Sequence, residues 1–404
     1  MDPWHDLLSL VASHPRENGT AALQRMAVLL GEALEAGGLD ARYAPFDAHP
    51  MAPALHGMLG LLAGILFVHA VRGRRPGVAF LVGLVPSLLL LIELGAGVPL
   101  LGRLGSTTQA HVGAVVAPAR EARARVVLLA HYDTRTDLLP HAAWRVAAGG
   151  AAAAAVVALL VSGTLALRRS ASARRAAGLA ALSGGLAGAL GFGVLTGGLF
   201  VPRRSPGAAD DGGSVAVLLR AAAALESAGP AARFRFLEVE IALLSGEELT
   251  GEGSRRFAVG RFATPPDIPT AAFVLHQIGA GAGLALHGTG SAPGSPGPDL
   301  GRAVREAAAA LGIELARDGA EPGCAPRALR DRGIPAAALV GVPGAEHAHR
   351  PADRPEHLDR HGLDRALALV LEGLCRLDRD LATGGADGPA GEGGAGAVCY
   401  RLRR

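Results

Sequence analysis

The chain has 404 residues, of which half are hydrophobic and only 4% are aromatic, and its formal net charge is +3. This length suits one large domain with insertions or two ordinary domains. The arginines are scattered and few aromatic side chains could stack on bases, so the composition argues against a nucleic-acid partner. The three cysteines lack the spacing of a structural zinc site and, as an odd number, cannot all pair; a bridge between Cys324 and Cys375 stays open.

Residues 1–50 predict the beginning of an α/β domain. Residues 1–10 contain acidic side chains but neither a basic region nor a long apolar run, so we expect no signal peptide. Residues 18–20 form a turn and helix-cap signal before an amphipathic segment that ends in glycines. The segment ARYAPF then follows as a short strand candidate.

Two regions, residues 51–101 and 141–201, each contain a pair of long and almost uncharged apolar stretches. Each stretch has about the length of one membrane span, which is roughly 20 residues. We therefore expect two transmembrane helical hairpins; for the third and fourth stretches, which are rich in alanine and glycine, buried helices of a soluble core are the alternative. The four stretches are Met51–Ala70, Val78–Leu101, Ala142–Leu167 and Ala176–Val201.

Arginines cluster at the tips of both predicted hairpins, within residues 72–75 and 168–175, and are sparser on the outer flanks. By the positive-inside rule both tips face the cytoplasm, so every other part of the chain lies on the opposite side. The sequence therefore predicts a multi-pass cell-membrane protein with four spans in the lipid bilayer and an extracytoplasmic domain. Glu93, near the end of the second span, is expected at the membrane interface.

Residues 126–134, VVLLAHYDT, predict a buried strand that ends in two polar side chains. His131 and Asp133 are two positions apart and therefore point to the same side of an extended segment. The carboxylate of Asp133 can then orient the imidazole of His131, as carboxylates do for metal-binding histidines. A surface histidine with a nearby acid is the alternative.

Residues 102–140 and 202–380 alternate predicted strands with predicted helices. This alternation indicates an α/β fold with a mostly parallel, doubly wound sheet flanked by helices. Residues 381–404 are of low complexity, and we expect a disordered tail there.

Other predicted strands and helix starts also carry acidic or histidine side chains, and the carboxyl ends of parallel strands share one edge of a sheet. Imidazole nitrogens and carboxylate oxygens suit zinc, and one carboxylate can bridge two metals about 3.5 Å apart. In the adjacent pair Glu247–Glu248, one carboxylate can bind a metal while the other acts as a general base. Together with His131 and Asp133, the candidates are Asp210, Asp211, Glu247, Glu248, His276, His347 and His349.

The order and spacing of these motifs resemble the M28 zinc aminopeptidases, a family with a di-zinc exopeptidase fold. The matching segments are AHYDT, GAADDGGSVA, SGEELTGEGS, LHQIG and HAHRPADRPEHLD. The resemblance covers roughly residues 8–48, 106–138 and 202–378. The four apolar stretches look like insertions within the peptidase fold.

Carried over by motif, the resemblance implies a catalytic site with two Zn²⁺ ions per chain. Glu247 would be the general base, and Asp133 would orient His131. Asp210, rather than Asp211, would bridge the metals, and Asp353 would help to hold the last loop. The implied metal ligands are His131, Asp210, Glu248, His276 and His349.

Two positions depart from the family pattern. His276 stands where the family usually has a metal-binding aspartate, which removes one negative charge and makes a single-metal site conceivable. Ala348 stands where the family often has a tyrosine that helps to stabilise the developing oxyanion. His347 could replace that donor, although we interpret it first as a surface-loop histidine.

The function implied is that of a membrane-anchored aminopeptidase. Glu247 would activate a metal-bound water that attacks the peptide bond behind the N-terminal residue of a peptide substrate. One alternative is the intramolecular acyl transfer of glutaminyl cyclases, which share this fold and use one metal. Another is a catalytically degenerate membrane protein, supported only by the two departures.

Overall fold

The computed structural model describes most of the chain in two sets of segments. The continuous ones are residues 4–73, 75–90, 100–137, 202–227, 233–248, 251–288, 298–316, 323–344 and 346–383. Residues 92, 93 and 229 and scattered positions between 153 and 183 are also described. The chain divides into two compact units: residues 1–48, 108–135 and 205–404 form the first, and residues 49–107 and 136–204 form the second.

Eight strands form one sheet in the order β1-β2-β4-β3-β5-β8-β6-β7. The four central strands, β4, β3, β5 and β8, are parallel to one another. Strand β2 pairs with β4, and β6 pairs with β8, in the antiparallel sense. The sheet is therefore mixed, with a parallel centre. The strands are β1 Arg42–Ala48, β2 Thr107–Val116, β3 Ala124–His131, β4 Leu237–Leu244, β5 Thr270–His276, β6 Gly283–His287, β7 Leu315–Ala316 and β8 Ala336–Val342.

Helices cover both faces of the sheet, as a continuous apolar strand requires. Alternate residues of β3 show this: Val126 and Leu128 belong to one apolar cluster, and Val127 and Leu129 belong to another. Helices α1, α2, α5, α7 and α9 contribute to the first cluster, and α6 and α8 to the second. Their bounds are α1 His5–Ala12, α2 Ala21–Ala36, α5 Gly213–Ser227, α6 Glu252–Arg261, α7 Leu300–Leu311, α8 Ala325–Arg330 and α9 Arg360–Thr383.

The second unit contains two further helices, α3 at Ala52–Arg72 and α4 at Pro76–Leu90. They pack against each other through the buried side chains of Phe67, Ala70 and Ala79. Both sequences are mostly apolar, and large aliphatic residues such as Leu62 and Leu81 are exposed on them.

The prediction of a four-span membrane protein is wrong. Among the residues that the structure describes, no helix combines the length and the apolar character needed to cross a bilayer. Helix α4 has only 15 residues, fewer than the roughly 20 that a span needs, and α3 is interrupted by His56 and His69. The predicted membrane orientation depends on these spans and is therefore wrong as well. The stretches at 142–167 and 176–201 lie almost entirely outside the described residues.

Glu93 is buried rather than placed at an interface. Its carboxylate accepts hydrogen bonds from the backbone N–H groups of Leu100, Leu101 and Gly102 at 3.0, 2.8 and 2.9 Å. It also lies 3.2 Å from Nε2 of His56. Burial alone would raise the pKa of Glu93, but these donors and His56 hold it below its usual value. Glu93 therefore fastens the end of the α3–α4 pair to the segment that follows it.

Two smaller expectations also change. Strand β2 was not expected, because its sequence TTQAHVGAVV places Gln109 and His111 among apolar residues, and both are buried. Cys324 is exposed and forms no disulfide, so the bridge to Cys375 that the sequence left open does not form. Cys399 lies outside the described residues.

Candidate metal centre

Five predicted ligands meet at the carboxyl edge of the parallel strands. His131 and His276 are the last residues of β3 and β5, which are neighbours in the sheet. Glu248 follows β4, and His349 lies in the loop after β8. Asp210 lies in the short turn at residues 208–212, directly before α5. The edge of the sheet thus collects side chains that are far apart in the sequence, as expected for this class of sheet.

Asp210 lies at the centre of this group and is buried. Its Oδ1 atom is 3.3 Å from Nε2 of His131 and 3.8 Å from Nδ1 of His276. The two imidazole rings lie with their centroids 5.9 Å apart. His131, His276 and Asp210 therefore form one group that can hold a metal ion.

The other oxygen of Asp210 faces a second group. Its Oδ2 atom is 3.4 Å from Nε2 of His349, which in turn is 2.9 Å from Oε2 of Glu248. Asp210, Glu248 and His349 can hold a second metal ion. One carboxylate therefore faces both groups, which is the arrangement of a bridging ligand.

Asp133 is fully buried behind His131. Its Oδ1 atom is 3.5 Å from Nδ1 of His131, and Asn18 donates to its Oδ2 atom at 2.7 Å. Burial alone would raise the pKa of Asp133, but the hydrogen bond and charge of His131 and the other donors hold it below its usual value. Asp133 thus stays charged and orients the imidazole towards Asp210.

Glu247 lies beside the two groups with its carboxylate held on both sides. Its Oε1 atom accepts the backbone N–H of Cys324 at 3.1 Å, and its Oε2 atom accepts the hydroxyl of Ser254. Burial raises the pKa of Glu247, although His131 and Ser254 oppose this effect. A raised pKa makes a carboxylate a better proton acceptor, which suits a general base.

Asp211 has a different role from Asp210, its neighbour across a cis peptide bond. Its Oδ1 atom accepts the backbone N–H of Gln277 at 2.9 Å, and its Oδ2 atom accepts that of His131 at 3.3 Å. Burial raises its pKa to about 8. Asp211 therefore fastens the ends of β3 and β5, and Asp210 is the aspartate that faces both groups.

Asp353 supports the turn that carries Asp210. Its carboxylate accepts the backbone N–H groups of Ala209 and Asp210 at 2.7 and 3.2 Å. Burial raises its pKa to about 6. This placement agrees with the expectation that Asp353 helps to hold a loop, although the loop that it holds is the one before α5.

Sequence reasoning missed Arg16, which is buried beneath the site. Its guanidinium donates to the backbone carbonyls of Tyr132 and Pro206, both at 2.7 Å, and to that of Gly207 at 3.2 Å. Burial lowers its pKa to about 10, against the attraction of Asp133 and other acids. No motif surrounds Arg16 in the sequence, so no signal could have identified it.

Three other residues near the site were either not considered or had an open role. Gln277 was not a candidate, yet its Nε2 atom donates to Oδ2 of Asp210 at 3.0 Å. His347 is exposed, and its ring lies 5.4 Å from that of His357, in keeping with a loop histidine. Ala348 is buried and supplies no side-chain donor.

The atoms of the site fit a metal. Oδ1 of Asp210 and Oε1 of Glu248 are buried and accept no hydrogen bond from the described residues, and buried polar atoms normally have a partner. The donors are imidazole nitrogens and carboxylate oxygens, which suit zinc in a site of this kind.

The fold is shared with solved metalloenzymes. The chain is 16% identical to a Zn-dependent exopeptidase from Parabacteroides distasonis, with a TM-score of 0.52 over 92% of this chain and 96% of the other. The aminopeptidase from Aneurinibacillus sp. strain AM-1 is 12% identical, with a TM-score of 0.54 over 93% of each chain. A glutaminyl cyclase from Fimbriiglobus ruber is 16% identical, with a TM-score of 0.53 over 93% and 92%. Comparison with curated proteins yields no match.

The fold is a zinc exopeptidase-like α/β fold, and its sheet edge gathers candidate metal ligands. The model of peptidase family M28 matches residues 194–374. Residues 194–374 thus carry the M28 peptidase domain that the motifs predict. His131 and Asp133 precede the matched residues, and β3 brings them to the same edge of the sheet.

Proposed function

We propose that the protein is a zinc-dependent aminopeptidase that removes N-terminal residues from peptides with two metal ions. One observation carries the proposal: Asp210 faces two groups of candidate ligands. Glu247 directly precedes the ligand Glu248, and its carboxylate interacts with the charge of His131. A bridging carboxylate and an adjacent general base are the parts that metal-assisted hydrolysis needs. The match to the model of family M28 supports the same reaction class.

The residues of the chain have distinct tasks in this reaction. Zinc, when bound by the ligands around Asp210, supplies polarisation of the scissile carbonyl and makes water more acidic. Glu247 takes the proton from the attacking water and returns it to the leaving amine. The hydroxyl of Ser254 and the N–H of Cys324 hold its carboxylate in place through these transfers.

Acyl transfer, as in glutaminyl cyclases, is the second candidate, because structures of such enzymes have the same fold at similar TM-scores. The resemblance implies one metal for that reaction. Two ligand groups around one carboxylate favour the hydrolase. An assay that follows both free amino acids and cyclised N-termini separates the two reactions.

The test compares Glu247→Gln with a matched control, Glu356→Gln, at an exposed position. We expect Glu247→Gln to lower turnover of aminoacyl substrates by at least about 10²-fold, since general-base catalysis contributes that much. Zinc content and thermal unfolding should match those of the unsubstituted chain. Turnover that survives in Glu247→Gln would refute the role of Glu247, and cyclised products without hydrolysis would refute the aminopeptidase.

A further inference from the structure

The two groups of candidate ligands offer different atoms. His131, His276 and Asp210 offer two nitrogens and one oxygen, whereas Asp210, Glu248 and His349 offer one nitrogen and two oxygens. We propose that the two positions select different metals: the first retains zinc, and the second exchanges its ion and accepts harder cations such as Mn²⁺. This inference rests on the proposed metal centre and specifies its metals.

The donor atoms determine the selectivity. Imidazole favours zinc and other late transition metals, whereas carboxylates suit manganese and magnesium. The first position has one carboxylate, Asp210, and the second has two, Asp210 and Glu248. A hard cation therefore gains more from the second position, and zinc gains the extra nitrogen of His276 at the first.

The two oxygen atoms of the shared carboxylate, that of Asp210, have different hydrogen-bond partners. Oδ1 of Asp210, which faces the first position, is buried and accepts no hydrogen bond from the described residues. Oδ2, which faces the second position, accepts the Nε2–H of Gln277 at 3.0 Å. A donor on a ligand oxygen withdraws electron density from it, so Oδ2 is the weaker ligand atom. Gln277 is therefore a positioning residue that weakens the second position.

The backbone adds to the difference. His131 and His276 end two strands that are paired with each other, which fixes their separation. His349 lies in a loop with a left-handed backbone, at φ 62°, and Glu248 also lies outside a strand. Ligands on strands hold a metal geometry more tightly than ligands on loops. Exchange should therefore be faster at the second position.

The experiment loads the metal-free chain with Zn²⁺ and an excess of Mn²⁺ large enough to offset the generally higher affinity of sites for zinc, and then removes unbound ions. Elemental mass spectrometry should find roughly one zinc and one manganese per chain, since the donor sets differ in this way. Electron paramagnetic resonance should show a manganese ion without a manganese neighbour. His276→Asp gives both positions one nitrogen and two oxygens, so manganese should rise towards two per chain and show magnetic coupling.

Two further variants complete the test. His361→Asp makes the same change of residue at an exposed position in the first turn of α9, and should keep the metal ratio of the unsubstituted chain. Gln277→Asn shortens the amide and tolerates the backbone at φ 52°. Without the hydrogen bond to Oδ2 it should raise zinc affinity at the second position, whereas loss of a merely supporting contact would lower that affinity. This variant keeps the test decisive if His276→Asp does not fold.

Three results would overturn the inference. Two zinc ions that leave the unsubstituted chain in a single phase with chelator would make the positions equivalent. An unchanged metal ratio in both His276→Asp and Gln277→Asn would show that neither residue causes the difference in metal selectivity. Neither result would affect the proposed hydrolase, whereas a folded chain that binds no metal would overturn both.

Discussion

Asp133 accepts the backbone N–H of Glu248 at 3.0 Å through its Oδ2 atom. Its Oδ1 atom accepts the N–H of Glu247 at 3.2 Å and also faces His131. One buried carboxylate thus sets the positions of a candidate metal ligand, a candidate base and a histidine. The ends of β3 and β4 are aligned through it.

Asp133→Asn should therefore weaken metal binding although Asp133 faces no metal position. The substitution keeps the size of the side chain but turns one of its oxygens into a donor, which faces other donors. We expect zinc affinity to fall by about 10- to 100-fold, as measured by competition with a chromogenic chelator. Asp331→Asn, at an exposed position, is the control. Unchanged affinity in Asp133→Asn would contradict the orienting role.

Asp353 should matter for stability even without metal. Asp353→Ala leaves the buried N–H groups of Ala209 and Asp210 without their acceptor, and each such loss costs about 1–3 kcal/mol. Asp353→Asn keeps one carbonyl oxygen and should lose less. Urea unfolding of the metal-free chains measures both. Equal stability of Asp353→Ala and the unsubstituted chain would show that the turn at residues 208–212 is held by other contacts.

Asp378 offers a stability test away from the site. It is fully buried in α9, and its carboxylate accepts the N–H groups of Arg235, Phe236 and Leu237 at 2.8, 2.7 and 2.9 Å. Asp378→Ala should lower the free energy of unfolding by about 3 kcal/mol or more, because three donors lose a charged acceptor. Activity per folded molecule should not change. A selective loss of activity without loss of stability would contradict this assignment.

His111 should make the chain sensitive to acid. Burial lowers its pKa to about 4, and its ring stacks on Phe46 with the centroids 4.4 Å apart. An unfolded histidine has a pKa near 6.5, so between these values the unfolded chain binds a proton that the folded chain does not. The free energy of unfolding should therefore fall by about 2 kcal/mol between pH 7 and pH 5.

The measurement is urea unfolding at both pH values with a chelator present, which removes the effect of metal release. His111→Phe should retain the stacked ring and lose this part of the pH dependence. An unchanged pH dependence in His111→Phe would assign the acid sensitivity to other groups.

Part of this architecture follows from local sequence. Apolar runs that end in polar residues predict β3, β4 and β5, because a strand buried on both faces must be apolar along its length. The same pattern brings His131, Glu248 and His276 to one edge, and the family is confirmed by the match to M28. Strand β2 escaped prediction because its buried Gln109 and His111 break the apolar pattern.

The remaining errors arise where the structure depends on contacts between distant residues. A long apolar stretch indicates burial, but it does not indicate whether lipid or protein covers the apolar surface. Helices α3 and α4 pack on each other, whereas from the sequence alone we interpreted the same residues as membrane spans. Arg16 and Gln277 make contacts only with residues distant in sequence, and one-dimensional patterns carry no sign of such contacts.

Arg16 joins the two points between which residues 136–204, one of the two segments of the second unit, are inserted. Its guanidinium binds the carbonyls of Tyr132 and Pro206, and its backbone N–H donates to the hydroxyl of Thr134 at 2.8 Å. The chain leaves the first unit after residue 135 and returns at residue 205. One side chain holds together the points where the chain leaves and rejoins the first unit. The first unit therefore does not depend on the length of the segment between these points. We therefore expect a shorter or longer segment between residues 135 and 205 to leave the geometry of this edge of the sheet unchanged.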